Sequence, residues 1–234
     1  MISGPDSSFL RRAGMVLALV FAGLQSGCLH PPAGDPARVG PFFTPPNYSG
    51  DASLGGIRRV VVLPAWVGEG TRPESAAELD GVFLTALQQE KRFEVVAISR
   101  AECLRRFRAE AFSSATALPN DLFAFLQREY AADAVLFIDV TVYQPYKPIT
   151  LGLRSKLAAI DGSRLIWTFD NQFSAENPAA ANGARHRLLE RDRSVPADLT
   201  GIVLQSPSKF AGYAAAAMFA TLPPVVAPVA VVTK

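Results

Sequence analysis

Cys28 carries the first chemistry legible in this chain. Arg11-Arg12, an apolar run from Ala13 to Leu24 and then Ser26-Gly27 precede it. A basic pair, a short apolar stretch and small residues before a processing point describe a secretory signal peptide. The run is too short to cross a hydrocarbon core of about 30 Å as a helix. A thiol placed directly behind such a leader is set to be acylated. It would become the mature N-terminus, with diacylglycerol and a palmitate-type acyl chain attached.

The bacterial lipobox usually has leucine three residues before the cysteine. Here Gln25 stands at that position and Leu24 one place further out. An ordinary cleaved signal with an incidental cysteine is the alternative. Leu29, rather than aspartate, follows Cys28, which favours an outer-membrane anchor facing the periplasm.

Other reactive residue types are sparse. The two histidines, His30 and His186, fall in a proline-rich stretch and a charged helix, so neither is paired with a nucleophile as a Ser-His-Asp site requires. Cys103 and His186 lack zinc-ligand spacing, and no metal and no cofactor beyond the acyl groups is expected. Gly68-x-Gly70 lacks the third glycine of a nucleotide loop. Cys103, beside Leu104 in an expected helix, reads as structure rather than a reactive thiol. Asp139 is the sharpest polar oddity, because it interrupts an apolar strand and burying an unpaired carboxylate is costly. It either pairs with Arg154 or Lys156, faces solvent, or is a functional carboxylate. Asp133 more simply ends a helix. Tyr143, Pro145 and Tyr146 form an aromatic knuckle, either a rigid turn or a partner-docking loop. Arg185, Arg187, Arg191 and Arg193, with Glu190 and Asp192, read as a solvated helix face; binding of lipid headgroups or anionic wall polymer is the alternative.

Composition narrows the classes. A formal net charge of +2 and the lack of a basic stripe with interleaved aromatics argue against nucleic acid. The chain is 49% hydrophobic, enough for a proper core. With Cys28 acylated, Cys103 has no disulfide partner. Without residues 1–27, the 234-residue chain suits one ordinary domain with tails.

The elements follow from patterning. After the leader (1–27), residues 28–56 read as the lipidated cysteine and a tether, because six prolines and five glycines disfavour helix and continuous sheet. Phe42, Phe43 and Tyr48 within it are expected to dock on the body. A single α/β domain is expected over 57–222. Arg58 to Pro64 reads as a strand covered on both faces, Ser75-x-x-Glu78 as a capping box, and Leu79, Val82, Phe83, Ala86 and Leu87 as a buried helix stripe. A strand over 93–98, a helix over 101–110 and a helix opened by Pro119-Asn120-Asp121 come next. Ala134–Tyr143, Ile149–Ile160 and a return strand with Leu165, Trp167, Phe169 and Phe173 on one face form an antiparallel meander, joined at Asp161-Gly162. Pro178–Arg193 reads as a surface helix. Ser206-Pro207 caps a final helix packed on the sheet. The apolar tail, 223–234, reads either as an edge strand or as disordered. The class is therefore α/β (α+β): a three-layer-like βα half joined to a meander.

A strand ending Val62-Leu63-Pro64, a helix and then Phe93-Glu94-Val95-Val96 resemble the envelope domain of the curli-secretion-subunit and TolB-N-terminal type. Ala131-Ala132-Asp133-Ala134-Val135-Leu136 and the Ile160-Asp161-Gly162…Leu165-Ile166-Trp167 hairpin continue the likeness. Val140 to Tyr146 and Ser206 to Tyr213 are similar to segments of a group of uncharacterised bacterial lipoproteins. The resemblance implies a non-enzymatic envelope role, with a protein partner in assembly or export and the oligomeric state left open. The competing expectations are a curli-pore-like channel subunit, which needs an extra amphipathic hairpin, and an envelope hydrolase using Asp139 or His186.

Overall fold

Arg59–Val62 (β2) has three successive valines, and both faces of that run are buried. Such a strand must sit inside a sheet. In the computed structural model, which describes residues 34–68 and 73–225, β2 runs parallel to both Glu94–Ala97 (β4) and Ala134–Gln144 (β5). Helix α1, Pro73–Glu90, links β2 to β4. Helices α2, Arg100–Phe107, and α3, Leu122–Tyr130, link β4 to β5. Trp66–Val67 (β3) resumes the line of β2 along β5 after a break at Pro64, pairing Trp66 with Asp139.

β5 then turns into the antiparallel meander with Thr150–Ala159 (β6) and Leu165–Ser174 (β7). Helix α4 (Pro178–Arg191), a 3-10 helix (Ala197–Gln205) and helix α5 (Pro207–Phe219) close the described chain. With Tyr48–Gly50 (β1) at one edge and β4 at the other, the seven-stranded sheet is open and mixed, in the order β1-β7-β6-β5-β2-β4 with β3 beside β5.

Two cores flank the sheet. One face carries Val60, Val62, Leu136, Ile138, Leu153 and Leu157 against Leu79, Phe83, Phe210 and Ala214 of α1 and α5. The other carries Val61, Val135 and Phe137 against Cys103, Leu122 and Leu126 of α2 and α3. The expected stripe on α1 and the inward placing of Trp167, Phe169 and Phe173 on β7 are therefore the ones used. A fully buried Phe or Leu contributes about 1.5–3 kcal/mol over leaving it exposed, so these layers dominate the stability. Trp167 lies across the meander with its indole N–H donated to Thr221 Oγ1 at 3.1 Å.

The structure corrects several expectations. Residues 37–56 are not a bare spacer: a helical turn spans Pro36–Val39, and β1 pairs antiparallel with β7. Proline and glycine forbid long elements, but a three-residue edge strand needs only a few extended residues. Gly50 fits there because a Cβ would lie 3.1 Å from Pro223 and 3.2 Å from Trp167. Phe43 packs edge-on against Phe173, with ring centroids 5.3 Å apart, and its N–H donates to the Ala179 carbonyl. The compact unit to which these residues belong starts at Ala37.

Leu165 is exposed rather than inward, because a bulge against Leu157/Ala158 drops Ile166 into the core in its place. A second bulge, at Val140/Val142, leaves Val142 exposed. Ser75 and Glu78 lie inside α1, which starts at Pro73. α2 ends at Phe107, where Arg108 takes a left-handed cap with φ of 62°. The leader, Cys28, His30 and residues 226–234 lie outside the described residues.

Candidate functional site

Open α/β sheets bind ligands beyond the carboxyl ends of their strands, where successive crossovers leave to opposite faces. Here that point lies between β2, whose crossover helix packs on one core, and β4, whose following helices pack on the other. The crevice exists but holds only about 110 Å³. The protein fills the position itself. Arg100, opening α2, donates from Nε to Asp80 Oδ2 at 2.7 Å and from Nη2 to the Ala65 carbonyl at 2.7 Å. Asp80 Oδ1 accepts the Ala65 N–H at 2.8 Å. One ion pair thus ties the break after β2 to both flanking helices. Small-molecule pockets run to about 300–1,000 Å³, so this crevice is too small and its polar groups are already paired.

Asp139 is fully buried, and its partners are not the ones the strand pairing suggested. Arg154 stands opposite it in the β5–β6 register but donates to Asp170 at 2.9 Å. Lys156 donates to the Ser114 carbonyl at 2.7 Å. The Asp139 carboxylate instead accepts from Ser113 Oγ at 3.0 Å, Ser114 N–H at 2.9 Å and Ser114 Oγ at 3.0 Å. It therefore fastens the Ser113-Ser114-Ala115-Thr116 connection onto the sheet. Asp133 has a similar job, accepting the N–H groups of Arg58 and Arg59 at 2.8 and 2.9 Å.

The remaining reactive types are also committed to the fold. Cys103 is buried in the second core, and burial pushes its thiol up to about 11, far from thiolate chemistry. His186 stacks on Phe42 with centroids 4.5 Å apart; its Nδ1 lies 2.9 Å from the Ala37 carbonyl and its Nε2 3.3 Å from Glu190. Among the described residues no group of three metal-ligating side chains comes together, and no helix is long and apolar enough to cross a membrane.

Two surface features remain. The β5–β6 turn places Tyr143 and Pro145 half-buried, with Tyr143 packed at the edge of the first core. Tyr146 at its tip is 75% exposed. Of the three residues proposed from sequence, only Tyr146 presents its ring to solvent. The second feature is a groove of about 730 Å³ between α1, α4 and the start of α5. Arg187 and Arg191 of the charged helix line it, with Lys209 from α5. Tyr213 lines it as well, a role that the sequence analysis did not give it. The available signal was Gly183, which must be glycine because a Cβ would sit 2.6 Å from the Tyr213 hydroxyl.

No family model matches this chain, and no curated protein matches it. Solved structures with a similar backbone include the PelC dodecamer from Paraburkholderia phytofirmans, 12% identical, covering 70% of this chain and 95% of that one, with a TM-score of 0.38. Lipoprotein GNA1162 from Neisseria meningitidis is 18% identical over 50% and 79%, with a TM-score of 0.35. The LpoB C-terminal domain from Escherichia coli is 17% identical over 50% and 82%, with a TM-score of 0.34. The likeness is one of backbone arrangement over part of each chain.

Proposed function

We propose that this is a lipid-anchored, periplasm-facing envelope protein without enzymatic activity, which scaffolds or binds a protein partner in envelope assembly or export. The supporting observation is a conjunction. Cys28 stands behind Arg11-Arg12, the apolar run 13–24 and Ser26-Gly27, while the body's switch-point crevice is closed by its own Arg100–Asp80 pair. Asp139 and His186, the residues a hydrolase would need, hold loops in place. The channel alternative needs a hairpin outside the sheet, and 178–205 folds instead as α4 and a 3-10 helix. On this reading the stiff Tyr146 tip is the first place to look for a partner.

The test is fractionation with labelled palmitate. Wild-type protein should carry label and sediment with outer membranes, and Cys28→Ala should lose the label and appear in the soluble periplasmic fraction. An unlabelled wild-type chain, or a Cys28→Ala chain still confined to membranes, contradicts the reading. A photo-crosslinking residue at Tyr146 should then capture one envelope protein; capture that persists unchanged from a distant surface position removes the knuckle as the docking point.

A further inference from the structure

The groove beside α5 has the size of a small-molecule site, about 730 Å³, and nothing in the proposed function uses it. Val82 and Ala86 of α1, Leu188 of α4 and Val203 give it apolar walls. Tyr213, also part of its lining, is 7% exposed, and its hydroxyl is the buried side-chain polar atom that finds no partner among the described residues.

Charge at the rim is unbalanced. Arg187, Arg191 and Lys209 stand against Glu78 and Asp192. Asp192 is already engaged by the hydroxyl and N–H of Ser194, which, with the more distant charge of Lys209, hold its carboxyl below the usual range. Arg187 reaches Gln89 at 3.4 Å, whereas Arg191 and Lys209 make no ion pair among the described residues. Ser208 and Lys209 belong to the first turn of α5, where the helix dipole favours an anion.

We propose that this groove binds an anionic amphiphile: a hydrocarbon chain lying along Val82, Leu188 and Val203, ending in a phosphate or carboxylate held by Arg191, Lys209 and the first turn of α5. An apolar trough with an excess of cations at one rim suits neither a neutral lipid nor a free inorganic anion. Transfer of the chain from water favours binding by about 0.8 kcal/mol per buried CH₂, and the cations select the headgroup. This inference is independent of acylation at Cys28.

Gly81 supplies a clean test. It is exposed on α1, lines the groove, and a Cβ there meets nothing within 4 Å. Gly81→Phe should therefore fold with an unchanged or higher thermal midpoint, since glycine is a poor helix residue, yet obstruct the trough. The full chain, in phosphatidylcholine nanodiscs and labelled with fluorotyrosine, is titrated with octyl phosphate and octanoate. Octanol, octyltrimethylammonium and inorganic phosphate serve as controls. The Tyr213 fluorine resonance, assigned with Tyr213→Phe, should shift saturably with the two anionic amphiphiles only. Gly81→Phe should weaken binding at least tenfold, and Arg191→Gln with Lys209→Gln at least threefold. Tighter binding of octyl phosphate points to a phospholipid source, and of octanoate to a free fatty acid. A Tyr213 resonance that never moves, that moves equally with octanol or octyltrimethylammonium, or that responds undiminished in Gly81→Phe overturns the proposal.

Discussion

Replacing Asp139 by alanine separates a structural carboxylate from a functional one. The side chain is fully buried and accepts from three donors: Ser113 Oγ, Ser114 N–H and Ser114 Oγ. Hydrogen bonds to a charged group contribute about 1.5–3 kcal/mol each, and a buried donor left unpaired carries its own desolvation penalty of about 1–3 kcal/mol. Ser114 is half-buried and can recruit water, which trims the loss. Asp139→Ala should therefore lower stability by about 3–5 kcal/mol. At about 2–4 °C per kcal/mol for a domain of this size, the midpoint should fall by roughly 6–20 °C. In Asp139→Asn the amide oxygen still accepts the Ser114 N–H, and the serine hydroxyls can rotate to accept from the amide. That variant should lose only about 1–2 kcal/mol. Urea titration followed by tryptophan fluorescence measures both, with unchanged slopes as the check that only stability moved. Asp139→Ala within 1 kcal/mol of wild type would refute the view that this residue fastens the 113–116 connection, and would return it to the pool of functional carboxylates.

Three further outcomes follow from the same contacts. Gly183→Ala should destabilise by about 1–3 kcal/mol in thermal melts despite a better helix propensity, because its Cβ would overlap the Tyr213 hydroxyl at 2.6 Å. Arg100→Met should lose about 1.5–3 kcal/mol in urea titration, leaving Asp80 and the Ala65 carbonyl without their shared donor; a neutral effect contradicts the tie. Burial raises the Cys103 thiol from 9.0 to about 11 and the Tyr213 phenol from 10.0 to about 12. Between pH 9 and 12 the unfolded chain therefore sheds protons that the native one keeps, and stability falls as pH rises, by at most about 1.4 kcal/mol per pH unit for each group. Below pH 9 that stability is fully present, and Cys103→Ala and Tyr213→Phe should each flatten the alkaline decline.

Periodicity revealed the layers well. Val60 to Leu63 and the α1 stripe are strong local patterns, and each is used as the pattern implies. What escaped depends on distant partners. Nothing near Asp139 in sequence points to Ser113 and Ser114, because β-strand pairing brings Arg154 opposite while a loop 25 residues upstream supplies the donors. Bulges at Val142 and Ile166 reverse a face without leaving a local mark. Tyr48–Gly50 is too short and too polar to stand out as a strand until β7 offers its edge. The groove is assembled from α1, α4, the 3-10 helix and α5, whose contributing residues span positions 78 to 213. Arg187 and Arg191 were visible as a charged face, but their apolar counterpart was not.

Mass spectrometry of the mature N-terminus tests the anchored-scaffold account most directly. The account predicts a chain beginning at Cys28 that carries diacylglycerol on sulfur and an acyl group on nitrogen. A chain that begins at another residue, or at an unmodified Cys28, contradicts it.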